Sequence, residues 1–416
     1  MSSQFGLGGI STISYHSELL SDNLTLADLT DVGLKQLYTN NLASIDNVST
    51  PYWAALYKSI YEANAAIEGV SNSKKLTSSV KNRILGEAYF DRAFMYYYLV
   101  NLYGDVPLAL TTDYKLTSVL KRSAAADVYN QIVNDLLQAK DYLDSQYLDF
   151  NLKNVTTERV RPNQMAAYAL LARVQLQRKN YLAAEEAATK VIENKPTYNI
   201  VAPEQVFLKN SDETIWALQP VRAFLNTNQA QIFILPVTGP DFSYPVYLSN
   251  SLVNSFESNN DLRKSKWIGS VIVGSQTYYF SYKYKVPAIG TDIFEYDIVL
   301  RLAEQYLIRS EARAEQNKIS DAQADLNIIR SRAGLANTVA NNTSDLKAAI
   351  LKERRVELFT EWGHRWIDIK RTGTIDQIMT QAAVVKGSTW ESFKALFPIP
   401  YQEIVKDSQL TQNTGY

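Results

Sequence analysis

The residues best equipped for chemistry crowd into one stretch, ERRVELFTEWGHRWIDIKRTG, from Glu353 to Gly373. Glu353, Glu357, Glu361 and Asp368 lie close to His364, one of 2 histidines in the chain, with Trp362, Trp366 and four arginines (Arg354, Arg355, Arg365, Arg371) among them. A glycoside hydrolase works with two carboxyl groups across a cleft, one of them with a raised pKa. Here the carboxylates stand among arginines that would hold them ionised. The spacing also reads as a helix: Leu351, Leu358, Trp362, Trp366 and Ile369 fall on one face, widened by Val356, Phe359 and Ile367. Glu361 and Arg365 sit four apart, and Arg365 and Asp368 three apart, so opposite charges pair along its flank. Gly363 marks a close crossing or a bend, since it otherwise costs about 1 kcal/mol against alanine. The stretch is expected to be the inside of a fold, with His364 as a packing residue and no catalysis.

The remaining inventory narrows the chemistry further. There are 0 cysteines, which excludes disulfides, thiolate metal sites and cysteine nucleophiles. His16 and His364 alone cannot build a multi-histidine metal site, and no metal or other cofactor is expected. The 42 basic and 43 acidic side chains leave a net charge of -1, against the cationic excess a nucleic-acid surface needs. No apolar run approaches the ~18 residues of a membrane span. The opening MSSQFGLGGISTISYHSELL lacks the basic start and continuous apolar stretch of a signal peptide. YGDVP at 103–107 has one glycine, too few for a phosphate-binding nest, and reads as a helix end.

The elements that must carry any site are mostly helices in antiparallel pairs. Residues 52–70 place Trp53, Leu56, Tyr57, Ile60, Ala63 and Ile67 on one apolar face. A polar break leads into a long helix that Gly104 and Pro107 stop. Ser123 is placed to cap the next helix, whose buried stripe is Val128, Ile132, Leu136, Ala139 and Leu143. Residues 163–194 resemble residues 299–331: Tyr168 aligns with Tyr306, Leu170 with Ile308, Ala184 with Ala322 and Val191 with Ile329. Helix, polar turn and helix with small residues at close approaches is the pattern of tetratricopeptide repeats, which must stack to bury their apolar faces.

Between these hairpins the texture changes. Residues 196–296 gather most of the prolines and hold β-like runs, QIFILPV, GSVIVG and TYYFSYKYKV. The fold class expected is mostly α: tetratricopeptide-like hairpins forming a superhelix at about 50–195 and 297–373. A loop and short-strand insertion at about 196–296 and a C-terminal segment at 374–416 complete a single domain, 1–416. Aromatics dense in the insertion suit ligands with apolar faces and hydroxyl rims. The candidate ring platforms are Trp267, Tyr278, Tyr279, Tyr244 and Tyr247. Tyr38 joins them from the N-terminal part, with Asn40 and Asn41 as edge donors. Strand alternation puts Tyr278 and Tyr279 on opposite faces, so only one of them faces any single groove. Trp267→Ala is expected to weaken binding at little cost in stability.

Several segments in order resemble the SusD/RagB family of outer-membrane nutrient-binding proteins: RILGEAYFDRAFMYYYLVNLYGDVPL, RVRPNQMAAYALLARVQL, VLRLAEQYLIRSEARA, LNIIRSRAGL, ERRVELFTEWGHRWIDIKRTG and the tail LFPIPYQEIVKDSQLTQNTGY. The resemblance runs from about residue 50 to the end. It implies a helical frame of tetratricopeptide-like units supporting a variable ligand-binding half, and a docked C-terminal tail rather than a lure for a proline-binding module. It also implies a lipoprotein at the outer-membrane surface that captures glycan without catalysis and lids a SusC-like TonB-dependent transporter. In that family an export signal, a lipid-bearing cysteine and an N-terminal helix precede the segment found here at Ser21–Leu24, so the lipid anchor is expected to be absent from this chain. The resemblance supports the candidate regions and transfers none of the candidate residues. A peptide-binding member of the same family, a tetratricopeptide-type protein-interaction scaffold and an (α/α)-type glycosidase are the alternative readings.

Overall fold

The computed structural model describes residues 12–45, 48–220, 224–290 and 292–416. Residues 1–11, the start of the segment read for a signal peptide, lie outside the described residues. The chain enters through α1 (Ile13–Leu20), β1 (Leu24–Leu26) and α2 (Val32–Tyr38) and then turns to antiparallel helices. α3 (Ser49–Asn72) packs along α4 (Ser78–Tyr103). Gly104 ends α4 with φ of +74°, as the glycine there demands. β2 (Val106–Pro107), the short α5 (Tyr114–Thr117) and β3 (Arg122–Ser123) lead into α6 (Ala125–Tyr142), which covers the other side of α4. Packed between two helices, α4 buries residues around its circumference, Phe90, Phe94, Tyr97, Tyr98 and Leu102 among them.

The stripe of α6 is the one its spacing specifies, with Val128, Ile132, Leu136, Ala139 and Leu143 all buried. Its expected cap is not. Ser123 pairs with Val106 in the β2–β3 ribbon, and the N-cap is Ala124. The Asp105 carboxylate accepts the Ala125 amide at 2.8 Å, so a loop residue 20 positions upstream serves this helix start.

After α6 the chain forms the hairpin of α7 (Gln164–Gln177) and α8 (Tyr181–Ile192) and then enters the strand-bearing segment. This holds β4 (Thr214–Leu218), α9 (Asn228–Phe233), β5 (Val246–Leu248), α10 (Asn250–Val253), α11 (Leu262–Trp267), β6 (Ile268–Val273), β7 (Gln276–Ser281) and β8 (Asp297–Arg301). Two of the three β-like runs make strands, GSVIVG in β6 and the start of TYYFSYKYKV in β7. QIFILPV does not: Thr227 caps α9 by accepting the Ala230 amide, and the run begins inside that helix. The ribbons are antiparallel pairs, β1 with β5, β2 with β3, β4 with β8 and β6 with β7.

α12 (Leu302–Glu315) and α13 (Ile319–Arg332) form the second of the two similar hairpins, and α12 lies against both α7 and α8. More than a hundred residues apart in sequence, the hairpins are neighbours in space. Fully buried Ala184, Ala188, Ala312 and Ala322 let the helices approach. Arg173 of α7 reaches Glu304 of α12 at 2.7 Å, and Arg313 of α12 joins Glu185 of α8 to Asp325 of α13. The fold is thus mostly α, built on stacked tetratricopeptide-like hairpins. α14 (Thr343–Leu358), α15 (His364–Arg371), α16 (Ile375–Lys386) and α17 (Tyr401–Lys406) complete it. The tail docks by burying Phe397 and Ile399, with the Phe397 amide donating to Leu102 O at 2.7 Å.

The stretch from Glu353 to Gly373 is two helices, not one. α14 stops at Leu358, and Thr360, Trp362 and Gly363 take left-handed backbone, with φ of +56°, +44° and +77°. Gly363 is both a bend and a close crossing: a Cβ there would sit 2.8 Å from Ser17 Oγ of α1. The break turns carboxylates from α14 and from the turn toward one buried cluster of cations. Glu357 meets Arg263 at 3.0 Å, Arg301 at 2.6 Å and also Arg332. Arg301 further meets Glu213 at 2.8 Å and Glu361 at 2.7 Å. Arg263 meets Asp261 and Glu353 at 2.8 and 2.6 Å, and Lys283 meets Glu361 at 2.5 Å. Asp261, Arg263, Lys283 and Arg301 come from the strand-bearing segment, Arg332 from α13 of the helical frame, and Glu353, Glu357 and Glu361 from α14 and the bend after it. The cluster therefore fastens all three to one another.

Burial alone would raise the Glu357 pKa, but the guanidiniums of Arg332, Arg301 and Arg263 outweigh it and hold the carboxyl well below its usual range. Glu357→Gln is expected to cost about 3–5 kcal/mol at pH 7, because it leaves buried arginines short of a partner. The folded-state pKa lies below the unfolded one, so this contribution is present above about pH 4.3 and fades as the pH falls through the folded value. Urea unfolding at pH 7 and pH 3.5 should show the gap between wild type and variant narrowing on acidification.

Candidate functional site

The acidic stretch that resembles a catalytic centre has no free chemistry. Glu353, Glu357 and Glu361 are all buried in ion pairs. Asp368 is shared by Arg354 and Arg371 at 2.8 and 2.7 Å. His364 is buried, and desolvation followed by the charges of Arg173 and Arg354 pushes its pKa well down, so the ring stays neutral. His16 is likewise buried, its Nδ1 2.7 Å from Tyr52 Oη, with its pKa pushed by burial to about 3. Among the described residues no His, Asp and Glu cluster has the makings of a metal site.

Trp267, the foremost ring candidate, is not a platform. It is 0 % exposed at the end of α11, and its Nε1 donates to Pro203 O at 2.8 Å. Phe207 meets it edge-on, and Lys283, Arg332 and Arg301 lie 4.9, 5.2 and 5.9 Å from its ring. It is a wall of the ion cluster, where its π face meets desolvated cations. Asn40 is no edge donor either. It is buried with φ of +52°, its Nδ2 donating to Leu20 O at 3.0 Å. Asn41 is exposed at the end of α2.

The structure does bring together Tyr38, Tyr247 and Tyr278. Strand alternation buries Leu24, Leu26, Val246 and Leu248 and turns Thr25 and its register partner Tyr247 outward. β5 also lies against β7, where the Tyr278 ring meets Tyr247 at 5.0 Å and 86°, the edge-to-face arrangement that aromatic quadrupoles favour. Both rings are half-buried. Tyr279, one residue on, packs against the core from the opposite face of β7, as alternation requires. Tyr38 is buried beneath the group, with Lys386 Nζ 5.2 Å from its ring. Burial, then the nearness of Tyr247, raises the Tyr38 pKa, and burial, then Tyr278, raises that of Tyr247, so both phenols stay protonated hydrogen-bond donors. The Thr25 side chain faces both and opposes each shift.

Tyr244 stands on the adjoining turn, which Asp241 closes by accepting the Ser243 and Tyr244 amides at 2.7 and 3.0 Å. Phe242, about half exposed, tips that turn. Gly239 has φ of +84°, and a Cβ on it would lie 2.8 Å from Val273 and 3.8 Å from the Tyr278 ring, so only glycine lets this loop lie against the β6–β7 hairpin. Thr25 and Gly239 were missed in the sequence. The alternation of Leu24-Thr25-Leu26 was the available signal for Thr25. A second ring-bearing surface was also missed: a groove of about 440 Å³ between α3, the 107–120 loop and α17, with Tyr57 and Tyr61 on its wall and Thr117, Ser118 and Glu403 at its edge.

This architecture, a hairpin frame bearing ring-carrying ribbons, has counterparts among known proteins. Residues 10–176 match a family model described as starch-binding and associating with the outer membrane, and residues 244–416 match one described as the SusD family. The chain belongs to the SusD/RagB family. SusD-like protein P2 of Formosa agariphila is 25% identical over 98% of this chain and 90% of its own length. A SusD superfamily protein of Bacteroides vulgatus superposes with a TM-score of 0.85 at 19% identity, covering 100% of this chain and 96% of its own. Surface glycan-binding protein A of Bacteroides fluxus superposes with a TM-score of 0.82 at 22% identity, with the same coverages of 100% and 96%. These structural likenesses establish the SusD fold, and the family model adds association with the outer membrane. No described helix is long and apolar enough to cross a membrane.

Since Trp267 is a wall of the ion cluster, the expectation that its loss spares stability is reversed. Trp267→Ala should cost about 3–5 kcal/mol by removing a buried ring and opening a cavity against unshielded cations. Chemical denaturation checks this, and an unchanged midpoint would contradict the burial assigned to it.

Proposed function

We propose that this SusD-family chain captures oligosaccharide at the outer-membrane surface without transforming it and hands it to a SusC-like TonB-dependent transporter. One observation carries the reading: Tyr247 and Tyr278 stand perpendicular and half-exposed where two ribbons, β1–β5 and β6–β7, meet above the buried Tyr38. Sugar rings present apolar C–H faces edged by hydroxyls, and a ring set with phenolic tips answers both parts of that surface. The starch-binding description of the family model and the name of the B. fluxus relative support the same ligand class. The absence of an unpaired carboxylate in the Glu353–Gly373 stretch supports binding without hydrolysis. The membrane tether in this reading is the lipid anchor that the family resemblance implies on the precursor.

The rings bind by stacking, so each is worth about 0.5–1.5 kcal/mol beyond the area it covers. Tyr278→Ala is expected to weaken oligosaccharide binding about tenfold in calorimetric titrations with starch-derived and other growth oligosaccharides. Its melting temperature should move by only a few degrees, because the ring is half-buried and is not part of the ion cluster. No reducing ends should appear during the titration. Titration by extended peptides, with no response to sugars, would instead establish a peptide-binding member of the family.

A further inference from the structure

A separate cavity of about 510 Å³ opens between α3, α4, the segment at 160–162 and β4. Ala66, Phe94, Met95, Pro162 and Trp216 give it apolar walls, and Asp91 of α4 lines it. Among the described residues Asp91 has no hydrogen-bond or ion-pair partner, although arginines are close. They are committed elsewhere: one turn back on α4, Glu87 takes Arg83 at 2.7 Å and Arg161 in a bidentate pair. On the facing helix, Ser59 and Glu62 line the same space, and Glu62 has only the exposed Lys58 at 3.9 Å. β4 contributes Trp216 and Leu218, which carry no charge.

This is a half-buried carboxyl group without an ion-pair partner of its own, because Arg161, which lines the same cavity, is taken by Glu87. Burial, then the adjacent Glu87, pushes the Asp91 pKa up to about 7, while Arg161 opposes the rise. An anionic ligand would meet Glu62 and Glu87 as well as Asp91. A neutral one would leave the half-buried carboxylate uncompensated. A protonated amine supplies the countercharge and N–H donors together, and a pyranose bearing it has an apolar face for the part-exposed Ile84, Met95, Val160 and Leu218.

We propose that the cavity between α3, α4 and β4 binds an amine-bearing sugar unit, its ammonium paired with Asp91 and its ring packed on the apolar wall. The site lies apart from the tyrosines of β5 and β7, so it stands or falls independently of them. It extends the ligand class from neutral glycan to glycan containing free hexosamine.

The test uses glucosamine, N-acetylglucosamine and glucose as probes, with ethanolamine as an amine lacking the ring, followed by NMR or calorimetry. Glucosamine should bind at least tenfold more tightly than N-acetylglucosamine or glucose, and more tightly than ethanolamine. Its affinity should rise roughly fivefold between pH 6 and pH 7 as the carboxyl ionises. Asp91→Asn should abolish the preference for glucosamine and its pH dependence, leaving Tyr278-dependent oligosaccharide binding unchanged. Folding of this variant is checked by its melting curve, which carries its own expectation. The folded-state pKa of Asp91 lies above its unfolded value, so ionised Asp91 destabilises the fold increasingly from about pH 4 to pH 7. Asp91→Asn should therefore melt higher than wild type at pH 8, with the gap closing near pH 4. Equal binding of glucosamine and N-acetylglucosamine, undiminished glucosamine binding by Asp91→Asn, no response to glucosamine, or ethanolamine binding as well as glucosamine would each overturn the proposal.

Discussion

Glu357 sits in the interior among Arg263, Arg301 and Arg332, and the seating of the strand-bearing segment on the helical frame depends on that meeting. Burying charges is costly, and an apolar cluster of the same volume would be at least as stable. What ions provide in its place is geometry. A guanidinium fork accepts carboxylates only in certain directions, and each partner arrives from a different part of the chain. The strand-bearing segment supplies Arg263, Lys283 and Arg301, α13 supplies Arg332, and the bend after α14 supplies Glu361. A segment of loops and ribbons, with little core of its own, is thereby held to a helical frame at a defined angle.

Function in this account follows from rigidity at one place and openness at another. The hairpins α7–α8 and α12–α13 stack through buried alanines and interhelical ion pairs, and the carboxylates of the ion cluster are already paired. The outward rings of β5 and β7 are open to a ligand. Their backbone is fixed by pairing with β1 and β6, by the Asp241 turn and by Gly239 lying against the hairpin, so little ordering remains to be paid on binding. Selectivity then depends on side chains of the ribbons, which can vary without disturbing the frame.

Much of the frame was legible because periodicity is a local signal. The α6 stripe and the kinship of residues 163–194 with 299–331 follow from spacing alone, and both are realised. The exceptions were decided by distant partners. Ser123 lost the capping role to Asp105, which the fold brings to the start of α6. The face expected to run unbroken from Leu351 to Ile369 is cut at Phe359, because α1 crosses there and requires Gly363. Trp267 follows basic residues and precedes a strand, which locally suits an exposed ring. Its burial depends on Lys283, Arg301 and Arg332, none of them near it in sequence. Alternation correctly separated Tyr278 from Tyr279. It could not show that Tyr247 and Tyr38 would meet Tyr278, since that needs the pairing of β1 with β5 across more than two hundred residues. Asn40 carried no sign of its buried, left-handed setting.

The central claim, that a pre-fixed frame presents rings on ribbons for sugar, is tested most directly by hydrogen–deuterium exchange with and without a saturating oligosaccharide. The account predicts new protection confined to residues 24–26, 239–248 and 276–281, while amides around Glu357 and along α12 exchange equally slowly in both states. Protection appearing chiefly in the helical hairpins, or slowing of exchange around Glu357 on binding, would contradict it.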